Sequence, residues 1–246
     1  MLARVRPRPA SACAPRPPAA SFTCTAVVSF QSVGRIRGTP IVIVDAPAYP
    51  VRGLMVNAAE QFMPIAVLQR AVDGMALNKM NFLHVHWSDI TSFPVNSEKF
   101  PELAAAGRLA AMQNDSALPA TATTYSLDEL RALVGYAADR GVRVVPEFDM
   151  PGHGSWQFGM PELCLTSCPN VLDVTKDSLY TFLADFLGEM ATVFSDPVMH
   201  LGGDEVGCAC LNASGQMMLN GAFDLDPSAA AWMKAHNMYG NFGLNF

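Results

Sequence analysis

Charged side chains are scarce in this 246-residue sequence: they make up 15% of it, whereas hydrophobic residues make up 50%. So much apolar material excludes a wholly disordered chain. Long apolar runs are missing, since no stretch reaches the roughly 18 residues of a spanning helix, and no transmembrane segment is expected. A glycine-rich phosphate-binding turn is also lacking after the first apolar run, 53–59, which argues against a doubly wound nucleotide-binding fold.

Acidic residues are absent from positions 1–44, which hold six arginines and no lysine. The remainder has ten basic and 22 acidic side chains. Such an acidic body repels polyanions, so nucleic acid is not expected as a partner. Residues 1–40, rich in Pro, Ala and Arg, are predicted to be a disordered, low-complexity or targeting-like head. They lack the apolar run of a secretory signal; a transit peptide and a mis-set start site account for them equally well.

Strand and helix patterns alternate from residue 52 onward. Apolar strand-like runs lie at 53–59, 81–89, 142–149 and 198–205, and helical patterns at 64–80, 126–141 and 177–194. Near-continuous apolar strands alternating with helices predict a parallel sheet covered by helices. Ser126 and Glu129 have the spacing of a capping box, and Gly141 suits the end of that helix. Pro146 is unusual for a central strand.

Acidic residues stand at the ends of three of these strands: Asp89, Asp149, and the pair Asp204 and Glu205. A (β/α)8 TIM barrel builds its active site at the carboxyl ends of its strands. The sequence therefore predicts an α/β chain whose residues 52–246 form about the first four βα units of such a barrel.

Asp204 and Glu205 are the leading catalytic candidates. Adjacent residues on a strand point to opposite faces, so one is expected at the substrate's edge and the other at its reacting centre. Gly202 and Gly203 remove side-chain bulk beside them. Four further candidates are expected on the same rim: Arg52, Asp89, Asp149 and His153.

Two other pairs of side chains have alternative interpretations. His84 and His86 form a His-x-His pattern on one strand face, which suits two metal ligands or two hydrogen-bonded interior histidines. The second is preferred, and no metal or other cofactor is predicted. Trp87 and Trp156 are candidates for sugar stacking or, preferably, for core packing.

Four segments, in this order and spacing, resemble glycoside hydrolase family 20, the β-N-acetylhexosaminidases, and above all the eukaryotic lysosomal and secreted enzymes: VRGLMVNAAEQFMP, NKMNFLHVHWSDITSFP, VRVVPEFDMPGHGSW and HLGGDEV. The resemblance covers about residues 40–245. Residues 41–51 are similar to the segment that leads into the family's barrel. The resemblance implies a catalytic domain that is incomplete at both its N- and C-terminal ends.

The resemblance implies hydrolysis of terminal non-reducing N-acetyl-β-D-hexosamine residues, GlcNAc or GalNAc, from glycoconjugates or chitin oligosaccharides. In this family the substrate's own 2-acetamido oxygen is the nucleophile. By the same matching, Glu205 is the general acid and Asp204 orients the acetamido group. The resemblance also assigns four residues to substrate binding. Arg52 is expected to donate to sugar hydroxyls and Asp89 to line the pocket. Asp149 and His153 are expected to tune the acid.

The resemblance implies a lysosomal or secreted chain, and a disulfide and glycosylation sites would suit that location. One disulfide between the pairs 164/168 and 208/210 is preferred to a zinc site, and the resemblance implies that it joins Cys168 to Cys210. Asn114 and Asn212 stand in Asn-x-Ser sequons and are expected to be glycosylated.

Some positions depart from the family pattern. Its R-G-x-x-x-D-x-x-R-H motif has Asn57 for the Asp, Glu60 for the second Arg and Gln61 for the His. These departures affect the support of the first two strands. Further sugar-gripping residues of the family come from later strands that this sequence does not include, so an inactive half-barrel, acting as a carbohydrate-binding or interaction protein, is the alternative, and a metal-dependent barrel hydrolase is a third. Half a barrel exposes two strand edges, so poor solubility or a homodimer is expected.

Overall fold

The computed structural model describes residues 2–4, 46–107, 123–206 and 226–236. The strands are β1 (Leu2–Arg4), β2 (Gly53–Asn57), β3 (Phe82–His86), β4 (Val95–Asn96), β5 (Tyr125–Ser126), β6 (Arg143–Glu147) and β7 (Val198–His200). The helices are α1 (Ile65–Leu77), α2 (Pro101–Gly107), α3 (Leu127–Ala138), α4 (Trp156–Gly159), α5 (Asp177–Val193) and α6 (Pro227–Ala235), with a 3-10 turn at Pro161–Leu163. Across these ranges no helix is both long and apolar enough to cross a bilayer.

Five strands form the main sheet, in the order β1-β7-β6-β3-β2. Strands β2, β3, β6 and β7 are parallel and adjacent in chain order, and α1, α3, α5 and α6 follow them in turn. Sequential parallel strands, each followed by a helix, are the arrangement of a barrel rather than of a doubly wound sheet, whose strand order reverses. The predicted α/β fold with four βα units of a TIM barrel is confirmed.

The two faces of the sheet differ in polarity because successive strand residues point to opposite sides. Leu83 and Val85 of β3 are fully buried in the hydrophobic core, between the sheet and its helices. His84 and His86 alternate with them and contact Glu147 of β6. The inner face of the barrel arc is therefore polar toward its carboxyl end.

Aromatic rings fill the outer side of the sheet. Phe186 of α5 lies with its ring centroid 5.0 Å from that of Phe148 and 6.0 Å from that of Trp156. Trp87 packs edge-on against Tyr125 at 5.0 Å. Trp87 and Trp156 are both 0% exposed, so they are core residues and not sugar-stacking platforms.

Helix α3 begins as the sequence predicts. The Ser126 hydroxyl accepts from the Glu129 backbone N–H, and the Glu129 carboxylate accepts from the Ser126 N–H at 2.9 Å. The helix ends at Ala138, and Gly141 takes φ +70° in the turn that leads to β6. Glycine adopts this left-handed conformation without steric cost.

Pro146 is accommodated in β6 despite having no N–H. The Arg143 N–H donates to Asn81 on the β3 side, whereas the Phe148 N–H donates to His200 on the β7 side. By this alternation the Pro146 nitrogen faces β7. The described pairing on that side is limited to Glu147 with His200, so the missing N–H falls where the ladder is shortest.

Residues 2–4 are the described part of the predicted head 1–40, whose disorder stays a prediction. Residues 2–4 form β1, which pairs antiparallel with β7, while positions 5–45 lie outside the described residues. An edge strand presents unpaired N–H and C=O groups that a further strand satisfies, which is the physical reason for this pairing. The domain limits at residues 40 and 51 and the predicted homodimer stay predictions.

Candidate active site

A row of polar residues crosses the inner face of the sheet at its carboxyl end. Asn57, His86, Glu147 and His200 are consecutive cross-strand partners in β2, β3, β6 and β7. The parallel register therefore places four polar side chains side by side, where the strands end.

Glu147 is the centre of this row and is only 4% exposed. Its Oε2 lies 2.6 Å from His84 Nε2 and 3.0 Å from His86 Nδ1, and its Oε1 lies 2.9 Å from His200 Nδ1. Burial by itself favours the neutral acid, but the hydrogen bonds from His84 and His86 outweigh it and hold the pKa of Glu147 far below its usual range. A buried carboxylate thus links three strands.

His86 extends the network to Asp89, whose Oδ2 lies 3.1 Å from His86 Nε2. Burial disfavours the imidazolium, yet the hydrogen bonds to Asp89 and Glu147 raise the pKa of His86 to about 10. The pKa of Asp89 is lowered, because contact with His86 outweighs its burial. The preferred interpretation of His84 and His86 as hydrogen-bonded interior histidines agrees with these contacts.

Asp149 is fully buried directly after β6. Its Oδ1 accepts the Gly203 N–H at 2.8 Å, and its Oδ2 lies 3.2 Å from His153 Nδ1. Burial raises the pKa of Asp149, although His153 and Gly203 favour the charged form. The contact with Asp149 raises the pKa of His153 against the effect of burial. Asp149 thereby holds both the histidine and the backbone that carries the acidic pair.

Asp204 and Glu205 open into the same space, which corrects the expectation that they point to opposite faces. Strand β7 ends at His200, and Gly202, Gly203 and Glu205 have φ of +64°, +114° and +50°. These left-handed residues turn the chain out of the extended conformation. His153 Nδ1 lies 3.7 Å from Asp204 Oδ2 and its Nε2 lies 3.6 Å from Glu205 Oε2, and both carboxylate side chains are 66% exposed.

The carboxylates open onto a cavity of about 390 Å³. Its described lining comprises Met55, Asn57, Glu60, His84, His86, Asp89, Ile90, Glu147, His153, Asp204 and Glu205. Asp89, His153, Asp204 and Glu205 were expected here from the sequence, and Asp149 supports the cavity from below. Glu147, Asn57 and Glu60 were missed. An acid within an apolar strand, two residues before Asp149, is the signal that could have revealed Glu147.

The structure does not bring Arg52 into the described lining of this cavity, so its predicted role in binding sugar hydroxyls stays a prediction. Arg52 precedes β2 and lies at the amino end of the sheet, whereas the cavity lies at the carboxyl end. Its Nε donates to the Lys79 carbonyl and its Nη1 to the Tyr49 carbonyl, both at 2.5 Å. Arg52 therefore anchors the segment that enters the sheet.

Several predicted features lie partly or wholly outside the described residues. Cys168 is disulfide-bonded and Cys164 is a buried free thiol. The predicted partner Cys210 is not described, so the Cys168–Cys210 pairing stays a prediction. The sequons at Asn114 and Asn212 also lie outside the described ranges.

Two groups of side chains bring three ligand atoms within 4.8 Å of one another, a spacing that suits a metal ion: His84, Glu147 and His200, and Asp149, His153 and Asp204. In the first group the Glu147 oxygens already contact the imidazoles. In the second, His153 separates the two carboxylates by contacting both. The Glu147 contacts are 2.6 and 2.9 Å long, whereas His153 lies 3.2 Å from Asp149 and 3.7 Å from Asp204.

Gly202 is predicted to be irreplaceable in this arrangement. A Cβ at Gly202 would lie 1.7 Å from Asp149 Oδ1, and its φ is +64°. Gly202→Ala should lower the free energy of unfolding by about 1–3 kcal/mol through backbone strain alone. The control is Gly188→Ala in α5, where nothing lies within 4 Å of the added Cβ and helix propensity favours alanine by about 1 kcal/mol. Chemical denaturation of both variants is the measurement, and equal stabilities would contradict the contact.

The network around Glu147 predicts a pH dependence of stability. Glu147 and Asp89 have lowered pKa values, so their contribution is present above the usual carboxyl range and is lost as the pH falls. The pKa of His86 is raised from 6.5 to about 10, so its contribution is full below pH 6.5 and is lost as the pH rises toward 10. Glu147→Gln should therefore reduce the decrease in Tm that accompanies a rise in pH from about 6.5 toward 10. Melting curves from pH 3 to 10 test this, with Glu162→Gln as an exposed control; superimposable profiles for Glu147→Gln and the natural chain would refute it.

Comparisons with known proteins agree on one family. The family model described as "Glycosyl hydrolase family 20, catalytic domain" matches residues 49–242. A beta-hexosaminidase of Emericella nidulans is 37% identical over 207 residues, 76% of this chain and 32% of that protein. Beta-hexosaminidase subunit beta of Homo sapiens is 36% identical over 198 residues, 76% of this chain and 34% of that protein.

A solved structure supports the same conclusion. The crystal structure of a beta-N-acetylhexosaminidase from Bacteroides fragilis superposes with a TM-score of 0.56 at 31% identity, over 63% of this chain and 32% of that one. The chain thus spans about a third of the length of these relatives. Residues 49–242 are more than half of the chain and contain every residue of the cavity, and the chain therefore belongs to glycosyl hydrolase family 20.

Proposed function

We propose that this chain is a β-N-acetylhexosaminidase, which hydrolyses terminal non-reducing N-acetyl-β-D-hexosamine residues of glycoconjugates or chitin oligosaccharides. The observation that carries the proposal is the pair Asp204 and Glu205, open to one cavity and both within 4 Å of His153. An exposed acid beside a supported carboxylate suits a glycosidase whose nucleophile comes from the substrate. Family membership and the names of the relatives support the same activity.

Glu205 is the general acid in this proposal. It protonates the leaving glycosidic oxygen while the substrate's 2-acetamido oxygen attacks the anomeric carbon and forms an oxazolinium ion. The resulting carboxylate then removes a proton from water, which opens the oxazolinium and releases the sugar with retained configuration. The imidazole of His153, 3.6 Å from the Glu205 carboxylate, is placed to stabilise that carboxylate after proton transfer.

Asp204 orients the acetamido group by accepting its N–H, and its negative charge stabilises the oxazolinium. Holding this carboxylate in place requires a rigid support, since misplaced groups lose much of their catalytic effect. Buried Asp149 provides it through the Gly203 N–H on one side and His153 on the other. Asp89, joined to His86, lines the cavity at the end of the neighbouring strand.

A lysosomal or secreted location and glycosylation at Asn114 and Asn212 belong to the same proposal. Support comes from the disulfide-bonded state of Cys168, because disulfides persist in oxidising compartments. The natural ligands are glycans that end in N-acetylhexosamine.

The test is hydrolysis of 4-nitrophenyl N-acetyl-β-glucosaminide by the purified full chain. Glu205→Gln should reduce kcat by about 10²–10⁴-fold because it removes the proton donor, while Glu162→Gln, at an exposed position outside the cavity lining, should leave it unchanged. Absence of turnover in the natural chain, with a cooperative melt showing that it is folded, would contradict the proposal and favour the non-catalytic half-barrel.

A further inference from the structure

Carboxylates outnumber the cationic groups in the lining of the cavity. Among the described residues that line it, none is a lysine or arginine, and five have carboxyl groups: Glu60, Asp89, Glu147, Asp204 and Glu205. Its cationic groups are histidines that already contact carboxylates, His86 between Asp89 and Glu147, and His153 beside Asp149. The carboxylates of Glu60, Asp204 and Glu205 are left facing the space that a ligand would enter.

Glu60 is held at this rim by the turn that follows β2. The Asn57 Oδ1 accepts the backbone N–H groups of Ala59 at 3.1 Å and Glu60 at 2.9 Å. The Asn57 Nδ2 donates to Glu60 Oε2 at 3.1 Å. Asn57 therefore fixes both the backbone and the carboxylate of Glu60, so that its negative charge occupies a defined position.

A fixed charge in a concave site acts on the whole ligand. Clefts lined by one sign of charge focus the field, and screening in physiological salt becomes strong only beyond about 8 Å. Glu60 adds to the field of Asp204 and Glu205, and the acidic body of the chain has the same sign. Removing the Glu60 charge leaves the reacting pair and its support untouched.

We propose that Glu60 is a specificity-determining residue, which makes the cavity bind N-acetylhexosamines with a cationic amino substituent better than neutral ones, and neutral ones better than sulfated ones. The kind of sugar in this proposal rests on the proposed function. The order of preference among its substituents rests on the charges of the residues that line the cavity. Because Glu60 is exposed, the effect of its one charge is modest, about two- to fivefold per charged substituent.

The experiment compares three 4-nitrophenyl N-acetyl-β-glucosaminides that carry hydroxyl, sulfate or ammonium at carbon 6. In the natural chain we expect kcat/KM to be higher for the neutral glycoside than for the sulfated one. Glu60→Gln should reduce the ratio of these two values by about two- to fivefold, and the change should be in KM. The ammonium-to-neutral ratio should fall by a similar factor. The matched control, Glu162→Gln, removes one carboxylate outside the cavity and should change neither ratio, and 0.5 M salt should weaken both preferences in the natural chain.

Binding of the same three compounds, measured by calorimetry on the Glu205→Gln chain, separates this proposal from the function on which it rests. Turnover of the neutral glycoside with ratios that Glu60→Gln leaves unchanged would overturn the role of Glu60 and keep the function. No turnover, with charge-ordered binding that Glu60→Gln flattens, would support Glu60 and contradict the enzyme. No binding of any compound would overturn the proposal.

Discussion

The buried carboxylate of Asp149 connects the parts of the site that lie on different strands. It follows β6, accepts the Gly203 N–H after β7, and contacts His153. A fully buried carboxylate needs such partners, since an unpaired charge in the interior costs several kcal/mol. The requirement fixes the positions of the glycine turn and the imidazole, and through them the exposed pair Asp204 and Glu205. The cost of burying one acid is thus offset by contacts that place two others.

Glu147 has the corresponding role one layer deeper. Its contacts to His84, His86 and His200 join three neighbouring strands on the inner face, and an apolar residue in its place would remove all three contacts. The outer face is held by aromatic and aliphatic packing around Phe148 and Phe186. The arc of the barrel therefore has a hydrophobic side that stabilises it and a charged side that forms the candidate active site.

The architecture could be predicted from the sequence because apolar runs and helical periods repeat along the chain. The directions of the Asp204 and Glu205 side chains could not be predicted in this way. Side chains alternate between faces only within a strand, and β7 ends at His200 before Gly202 turns the chain. The position of Arg52 at the start of β2, at the opposite end of the sheet from Asp89, also follows from the strand bounds and not from the motif. Glu147 was overlooked inside an apolar run, where only the cross-strand register reveals its three histidine partners.

The central claim is that the site uses the acetamido group of its substrate as the nucleophile. It is tested most directly by comparing hydrolysis of 4-nitrophenyl N-acetyl-β-glucosaminide with that of 4-nitrophenyl β-glucoside, which differs only in having a hydroxyl group at carbon 2. The account predicts turnover of the first and none of the second, because the proposed mechanism takes its nucleophile from the substrate and gives Asp204 and Glu205 other roles. Comparable turnover of both glycosides would contradict it.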